Sequence, residues 1–273
     1  MRPVLLLAIA AVVAGIAAMS RLSSVSRMSR VAHDFAAVAY VPILYDLSGP
    51  VIAAANPLRW DAQLAALDRA WFGALPAAWI DLWGRPGWLT EAASILYATY
   101  YAIPLAIAIA LYRGGRRAEF EAFVFAVVAT FLASYVGYFL APAVGPRLPA
   151  MHEVVIEGHA ISPWLRRFMQ VVEWNHLDAF PSGHMALSLL YFVLGSQLLP
   201  RWRFPLAIVT AGIAFSTVYL SLHYVVDLVA GAAVAAVMLP VAPALYRALD
   251  QRPSSKARQP ASVQPIRSKR PPR

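Results

Sequence analysis

Long apolar blocks alternate with short polar joints along this chain. An apolar run of about 17–25 residues can cross a bilayer as a helix. Seven segments qualify: Pro3–Met19, Phe35–Ala55, Trp88–Tyr112, Phe120–Ala141, Ser182–Leu199, Phe204–Leu222 and Tyr224–Tyr246. Asp46, Gly49 and Pro50 interrupt the second. The pattern predicts an all-α, polytopic integral membrane protein without internal repeats. Only Arg2 precedes the first block, whereas Arg21, Arg27 and Arg30 follow it. That flank favours a retained helix with a cytoplasmic C-terminal end over a cleaved signal.

The polar joints divide into two kinds. Arg113–Arg117, Arg201–Arg203 and the stretch from Arg247 onward are basic, which assigns them to the cytoplasm. The helices between them then alternate without conflict, and Pro142–Pro181 and Ser221–His223 fall together on the outer face. Asn56–Gly87 is too polar to span. Its Trp60, Trp71, Trp79 and Trp83 suit an amphipathic segment on the outer leaflet. Ile161–Asn175 reads the same way, with Ser162 as a cap and Pro163 in the first turn. The expected organisation is an N-terminal transmembrane helix and basic linker over residues 1–34, a six-helix catalytic domain over 35–246, and a disordered basic cytoplasmic tail over 247–273.

Composition sharpens this picture. Of 273 residues, 60% are hydrophobic and 14% charged, against about 25% charged in a soluble domain. The net charge is +9, of which eight Lys/Arg and one Asp from Arg247 to Arg273 carry +7. The basicity therefore belongs to a tail that can lie on anionic lipid, and it does not indicate a nucleic-acid partner. There are no cysteines, which excludes disulfides and thiolate metal sites.

Three polar clusters carry candidate chemistry. In APAVGPRLP (Ala141–Pro149), Arg147 follows the fourth block, and its guanidinium can grip two phosphate oxygens. In HLDAFPSGHMA (His176–Ala186), Ser182 can cap the next helix. Gly183 allows close approach, and His184 lies in the first turn, where free N–H groups attract anions. In STVYLSLHYVVD (Ser216–Asp227), His223 and Asp227 are four apart. On a helix they share a face, so the carboxylate can fix the imidazole tautomer. An ordinary loop arginine, a capped interfacial histidine and a pair that glues helices are the alternatives for each cluster alone.

Together the clusters mean more. One helix down, a basic turn and one helix back fit the 39 residues from His184 to His223. Both imidazoles thus return to one depth, on the face that holds Arg147. This suits phosphoryl chemistry. His223 attacks phosphorus with Asp227 behind it, and His184 protonates the leaving oxygen and then activates the incoming hydroxyl. Arg147 and the N–H groups near Ser182 and Gly183 stabilise the phosphorus oxygens. Two His and one Asp can also hold zinc, but no further ligand motif accompanies them. The expectation is a site without metal or cofactor.

The motifs FPSGH and HYVVD resemble the type 2 phosphatidic acid phosphatase (PAP2) superfamily. PAVGPR, DAFPSGHMA and STVYLSLHYVVD are most similar to its inositol phosphorylceramide synthase-like branch. The resemblance covers roughly Leu67–Ala244. It implies a metal-independent six-helix core, with Arg147 in the first motif, His184 in the second, and His223 and Asp227 in the third. Two departures stand out: Leu140 replaces a lysine of the first motif, and Thr217 and Ser221 replace arginines of the third. Arg166 or Arg167 are candidates to make up that charge. The resemblance implies a membrane enzyme of the bacterial inner or plasma membrane acting on a lipid-linked phosphate at the outer face. Transfer to an alcohol is favoured over hydrolysis of a polyprenyl or glycerolipid phosphate. A non-catalytic lipid transporter is the rival from another class. It predicts charges along helix middles, whereas Glu91, Glu119, Glu121 and Asp250 lie near helix ends.

Overall fold

The computed structural model describes residues 26–146, 160–172 and 175–250. The predicted first helix, Arg147 and the tail beyond residue 250 lie outside the described residues. Within them every regular element is helical. A short helix α1 (Arg27–Asp34) leads into α2 (Ala37–Ala55). Two short helices follow, α3 (Asp61–Phe72) and α4 (Pro76–Trp83). The long helices α5 (Gly87–Arg113) and α6 (Arg117–Leu140) form a hairpin. Then come α7 (Ser162–Val172), α8 (Gly183–Leu198), α9 (Arg203–Tyr219) and α10 (Val225–Leu249).

Four helical stretches are long and apolar enough to cross a membrane: Arg27–Ala55, Gly87–Arg113, Arg117–Leu140 and Val225–Leu249. α8 and α9 are shorter, with 16 and 17 residues, or about 24–26 Å at the helical rise. Both stop short of the apolar blocks that predicted them. A 3-10 turn at Pro200–Trp202 separates them. After Tyr219 the chain leaves the helix and Ser221 takes φ 58°.

The molecule is apolar outside and mixed inside, as expected where the solvent is lipid. Val38, Ile95, Leu132, Val136, Ile208 and Val237 are exposed, while Ser94, Thr130, Ser134, Thr210, Ser216 and Thr217 are buried. Lipid tails are as apolar as Leu, so helix association rests on close packing and interhelical hydrogen bonds of about 0.6 kcal/mol each. Thr210 donates to the Ser188 carbonyl at 3.2 Å, Tyr135 to the Val41 carbonyl at 3.2 Å, and Thr90 and Tyr219 pair at 3.0 Å. α8 lies at the centre, packed on α5, α6, α9 and α10. Leu187, Leu190 and Tyr191 of α8 are almost wholly buried.

The amphipathic segments depart from the expectation of a simple surface location. α3 exposes Leu67 and Trp71, but buries Asp61, Leu64, Ala65 and Asp68 and packs on α10. Its acidic residues point into the protein because they have backbone N–H partners there. α7 exposes Trp164 and Phe168 and buries Leu165. Its start is capped by Glu91, whose carboxylate accepts from the N–H groups of Ala160, Ile161 and Ser162 at 2.8–2.9 Å.

Candidate active site

The site forms where α8 and α10 begin. Ser182 is the cap of α8, as expected, and its hydroxyl accepts from Met185 N at 3.3 Å. Ser182 N in turn donates to the Asp227 carbonyl at 3.0 Å, which ties the two helix starts together. Two glycines permit this approach. A Cβ on Gly183 would strike the Tyr138 hydroxyl, and one on Gly231 would strike the Ser182 carbonyl. His184 sits in the first turn of α8, between the rings of Tyr97 and Tyr100 at centroid distances of 4.6 and 4.3 Å.

His223 is not on the helix with Asp227, which corrects the face-sharing argument. It precedes the helix, and Tyr224 is the cap of α10. Its Nδ1 lies 2.9 Å from the Ala179 carbonyl and 3.4 Å from Asp227 Oδ2. A carbonyl oxygen only accepts, so Nδ1 carries the proton and the neutral ring keeps its lone pair on Nε2. Nε2 faces His184 Nδ1 at 3.4 Å. Asp227, wholly buried, also accepts from Tyr224 N at 2.8 Å. The carboxylate therefore orients both the imidazole and the turn that carries it. His184 and His223 are 8% and 4% exposed, so bulk water has little access.

Asp61 and Asp68, which lie in none of the three polar clusters, brace this arrangement. Asp61 accepts from Val144 N and Gly145 N at 2.8–3.1 Å, fixing the loop that precedes Arg147. Asp68 accepts from Val225 N and Val226 N at 2.8 and 2.9 Å, in the first turn of α10. Burial pushes the Asp68 carboxyl above its usual range, and the two N–H groups oppose that shift. Burial, then the charges of Asp61, Asp227 and Asp68, push the Tyr224 phenol up as well. Their spacing is the one signal available: seven residues put them on one face of a helix two turns apart.

Another buried group comes from the joint between α4 and α5. The Arg85 side chain is 2% exposed and pairs with Asp81. It donates to the Tyr219 carbonyl and, at 3.1 Å, to the Ser221 hydroxyl. A cation thus reaches the turn where Thr217 and Ser221 replace the expected arginines, but it arrives neutralised and serves to hold the turn. Arg167 is exposed, and the Arg166 side chain lies outside the described residues. Pro146 lines a crevice with Asp68, His223 and Tyr224. Among the described residues, no group of three or more His, Asp or Glu side chains is placed to hold a metal.

Two connected cavities lie near the site, and the smaller is bordered by His184. One of about 90 Å³ is bordered by Tyr45, Tyr100, Tyr135, Tyr138, Asp178 and His184. The other, of about 210 Å³, runs along α2, α5 and α6 past Val38, Leu105, Ala108 and Val127. Val41, Pro42, Tyr100, Tyr101 and Phe131 line both.

The model of the PAP2 superfamily matches residues 62–241, more than half of the chain. The chain belongs to the PAP2 superfamily. A PA-phosphatase related-family protein of Dictyostelium discoideum is 27% identical over 113 residues, 40% of this chain and 20% of the relative. The aligned part thus spans about a fifth of that relative's length. No solved structure matches at a significant level. The PAP2 match includes Asp68 of α3, both histidines and Asp227, and begins one residue after Asp61.

Proposed function

We propose that this PAP2 protein is a membrane-embedded lipid phosphatase or phosphotransferase that works through a phosphohistidine, without metal, at the outer face. The observation that carries this reading is the orientation of His223, with Nδ1 held by the Ala179 carbonyl and Nε2 turned toward His184. In the first step the Nε2–P bond forms as the bond from phosphorus to the lipid oxygen breaks, and His184 gives that oxygen its proton. Asp227 stabilises the positive charge on His223. In the second step His184 takes a proton from the attacking hydroxyl, and the N–P bond breaks. The first-turn N–H groups of Gly183 and His184 precede the helical ladder and suit the phosphoryl oxygens. The start of α10 is already capped by Asp68, so the anion has the α8 end available. Arg147 is the cation assigned to the same oxygens.

The adjoining apolar cavity accommodates the hydrocarbon of the lipid. Burial of both histidines limits water, which favours transfer to an alcohol, as the likeness to the inositol phosphorylceramide synthase-like branch also does. Sidedness follows from charge. Arg113, Arg116, Arg117, Arg201, Arg203 and Arg247 all lie at the helix ends away from the histidines, a bias that supports a site on the outer face.

The test uses purified protein in detergent with EDTA, a panel of lipid phosphates and phospholipids, and alcohol acceptors. Wild type should turn over at least one substrate and trap an acid-labile phosphoryl-protein on rapid quenching, both lost in His223→Ala. Turnover that survives His223→Ala would sink the phosphohistidine. The ratio of free phosphate to new lipid then separates hydrolysis from transfer.

A further inference from the structure

We propose that Arg85 is a positioning residue for His223 and acts through Ser221, as a cap supplied from afar to the C-terminal end of α9. This rests on the reading of His223 as the nucleophile. α9 ends in a tight reversal. The Ser221 N–H donates to the Val218 carbonyl at 3.0 Å, and the Leu222 N–H to the Thr217 carbonyl at 2.9 Å. Such a pair of bonds closes many helices, and it needs a left-handed residue just past the end, most often Gly. Here that residue is Ser221, at φ 58°, the one non-glycine residue with positive φ among the described residues. A side chain there carries a steric cost that glycine avoids. The His223 N–H donates to the same Thr217 carbonyl at 3.2 Å. The reversal therefore sets where the imidazole starts.

Arg85 offsets that cost from 136 positions away. Its Nη2 donates to the Ser221 hydroxyl at 3.1 Å. Its Nη1 donates to the carbonyl of Tyr219, the last residue of α9, where helix carbonyls lack partners within the helix. The guanidinium also lies over the Tyr219 ring, 5.3 Å from its centroid. A cation at the C-terminal end of a helix is favourable. This one is itself fixed, by the Asp81 carboxylate and by the Ala77 carbonyl at 3.3 Å. A rigid fork of donors can hold a carbonyl and a hydroxyl at once, whereas a Lys ammonium has no such fork. The turn has a second neighbour. A Cβ on Gly145 would strike the Leu222 carbonyl, so the loop before Arg147 rests on the same reversal. Letting Ser221 relax thus moves His223 and disturbs that loop together.

Two readouts test this with the full chain in nanodiscs. One is turnover of whichever lipid phosphate the wild type accepts. The other is the Nδ1–H tautomer signal of His223 in protein labelled with ¹⁵N-histidine, assigned by its loss in His223→Ala, which needs no substrate. Arg85→Met should lower kcat on the order of 10²-fold with little change in KM, and should replace the single-tautomer signal by an averaged one. Arg85→Lys should recover only part of both. Adding Ser221→Gly to Arg85→Met should restore both toward wild type, because glycine adopts φ 58° unaided. If Arg85→Met yields no folded protein, Ser221→Ala and Ser221→Gly carry the test, and the glycine variant should be faster by about tenfold. Rates and tautomer unchanged in Arg85→Met overturn the proposal. So do a failed rescue by Ser221→Gly, and alanine and glycine at 221 that behave alike. Turnover that needs His223 but ignores Arg85 removes the positioning role and keeps the phosphoryl reading. A tautomer signal that depends on Arg85 and returns with Ser221→Gly, in protein that forms no phosphoryl-protein, keeps the positioning of His223 and sinks the phosphoryl reading.

Discussion

The His223 imidazole has two acceptors at Nδ1 and one neighbour at Nε2, and this asymmetry sets its chemistry. The Ala179 carbonyl is the closer acceptor at 2.9 Å, with Asp227 at 3.4 Å. The tautomer is therefore held largely by backbone, while the carboxylate supplies charge as the ring becomes cationic. His184 has the separate task of handling the proton. If so, its importance depends on the leaving group. His184→Ala should lower kcat by about 10²–10⁴ on a lipid phosphate, the usual range for a general acid. On p-nitrophenyl phosphate, whose leaving oxygen needs no proton, the loss should be much smaller. Steady-state rates on both substrates decide this. Equal losses would mean that His184 binds phosphate and does not act as the acid.

At the scale of elements, the site is a junction of helix starts held by carboxylates. α8 and α10 begin side by side, and α3 stands over them with Asp61 on one loop and Asp68 on the first turn of α10. Removing Asp68 leaves two buried N–H groups without their partner, at a cost of about 1–3 kcal/mol. Asp68→Ala should lower the thermal unfolding midpoint in detergent and reduce kcat, because the turn bearing His223 loses its anchor. Asp68→Asn keeps one acceptor oxygen and should recover part of both. A midpoint unchanged in Asp68→Ala would show that the capping bonds add nothing to stability. Arg85 does comparable work at the other end of that turn, through Tyr219 and Ser221.

At the scale of the whole molecule, charge and chemistry are separated along the helix axes. The histidines lie at one end with the ion-paired Arg85, and Arg113, Arg116, Arg117, Arg201, Arg203 and Arg247 lie at the other. The Asp34–Arg117 ion pair brings the start of α2 to the basic end as well. The chain has no cysteine, so single introduced cysteines report sidedness cleanly. In intact cells or right-side-out vesicles, a cysteine at exposed Trp164 should react with a membrane-impermeant maleimide. A cysteine at Gly115 should react only after permeabilisation. The opposite pattern would put the histidine site in the cytoplasm.

Hydrophobic period and block length were enough to read the helices, because a bilayer permits few other ways to satisfy a backbone. The positions of α2, α5, α6, α8, α9 and α10 follow from that rule to within a few residues. The Ser182 cap and the convergence of His184 with His223 were legible too, since cap chemistry is local and two antiparallel crossings return to one depth. Other features depended on partners far away in sequence. Asp61 and Asp68 looked like the polar face of a surface helix. Only folding brings Val144, Gly145, Val225 and Val226 to them. Glu91 caps α7 from about 70 residues away, and Arg85 reaches Ser221 across 136. Sequence determined which residues lie at which depth, because hydrophobicity acts residue by residue. Tertiary structure decided which polar groups meet at that depth, because a hydrogen bond needs distance and direction between elements that no local pattern encodes.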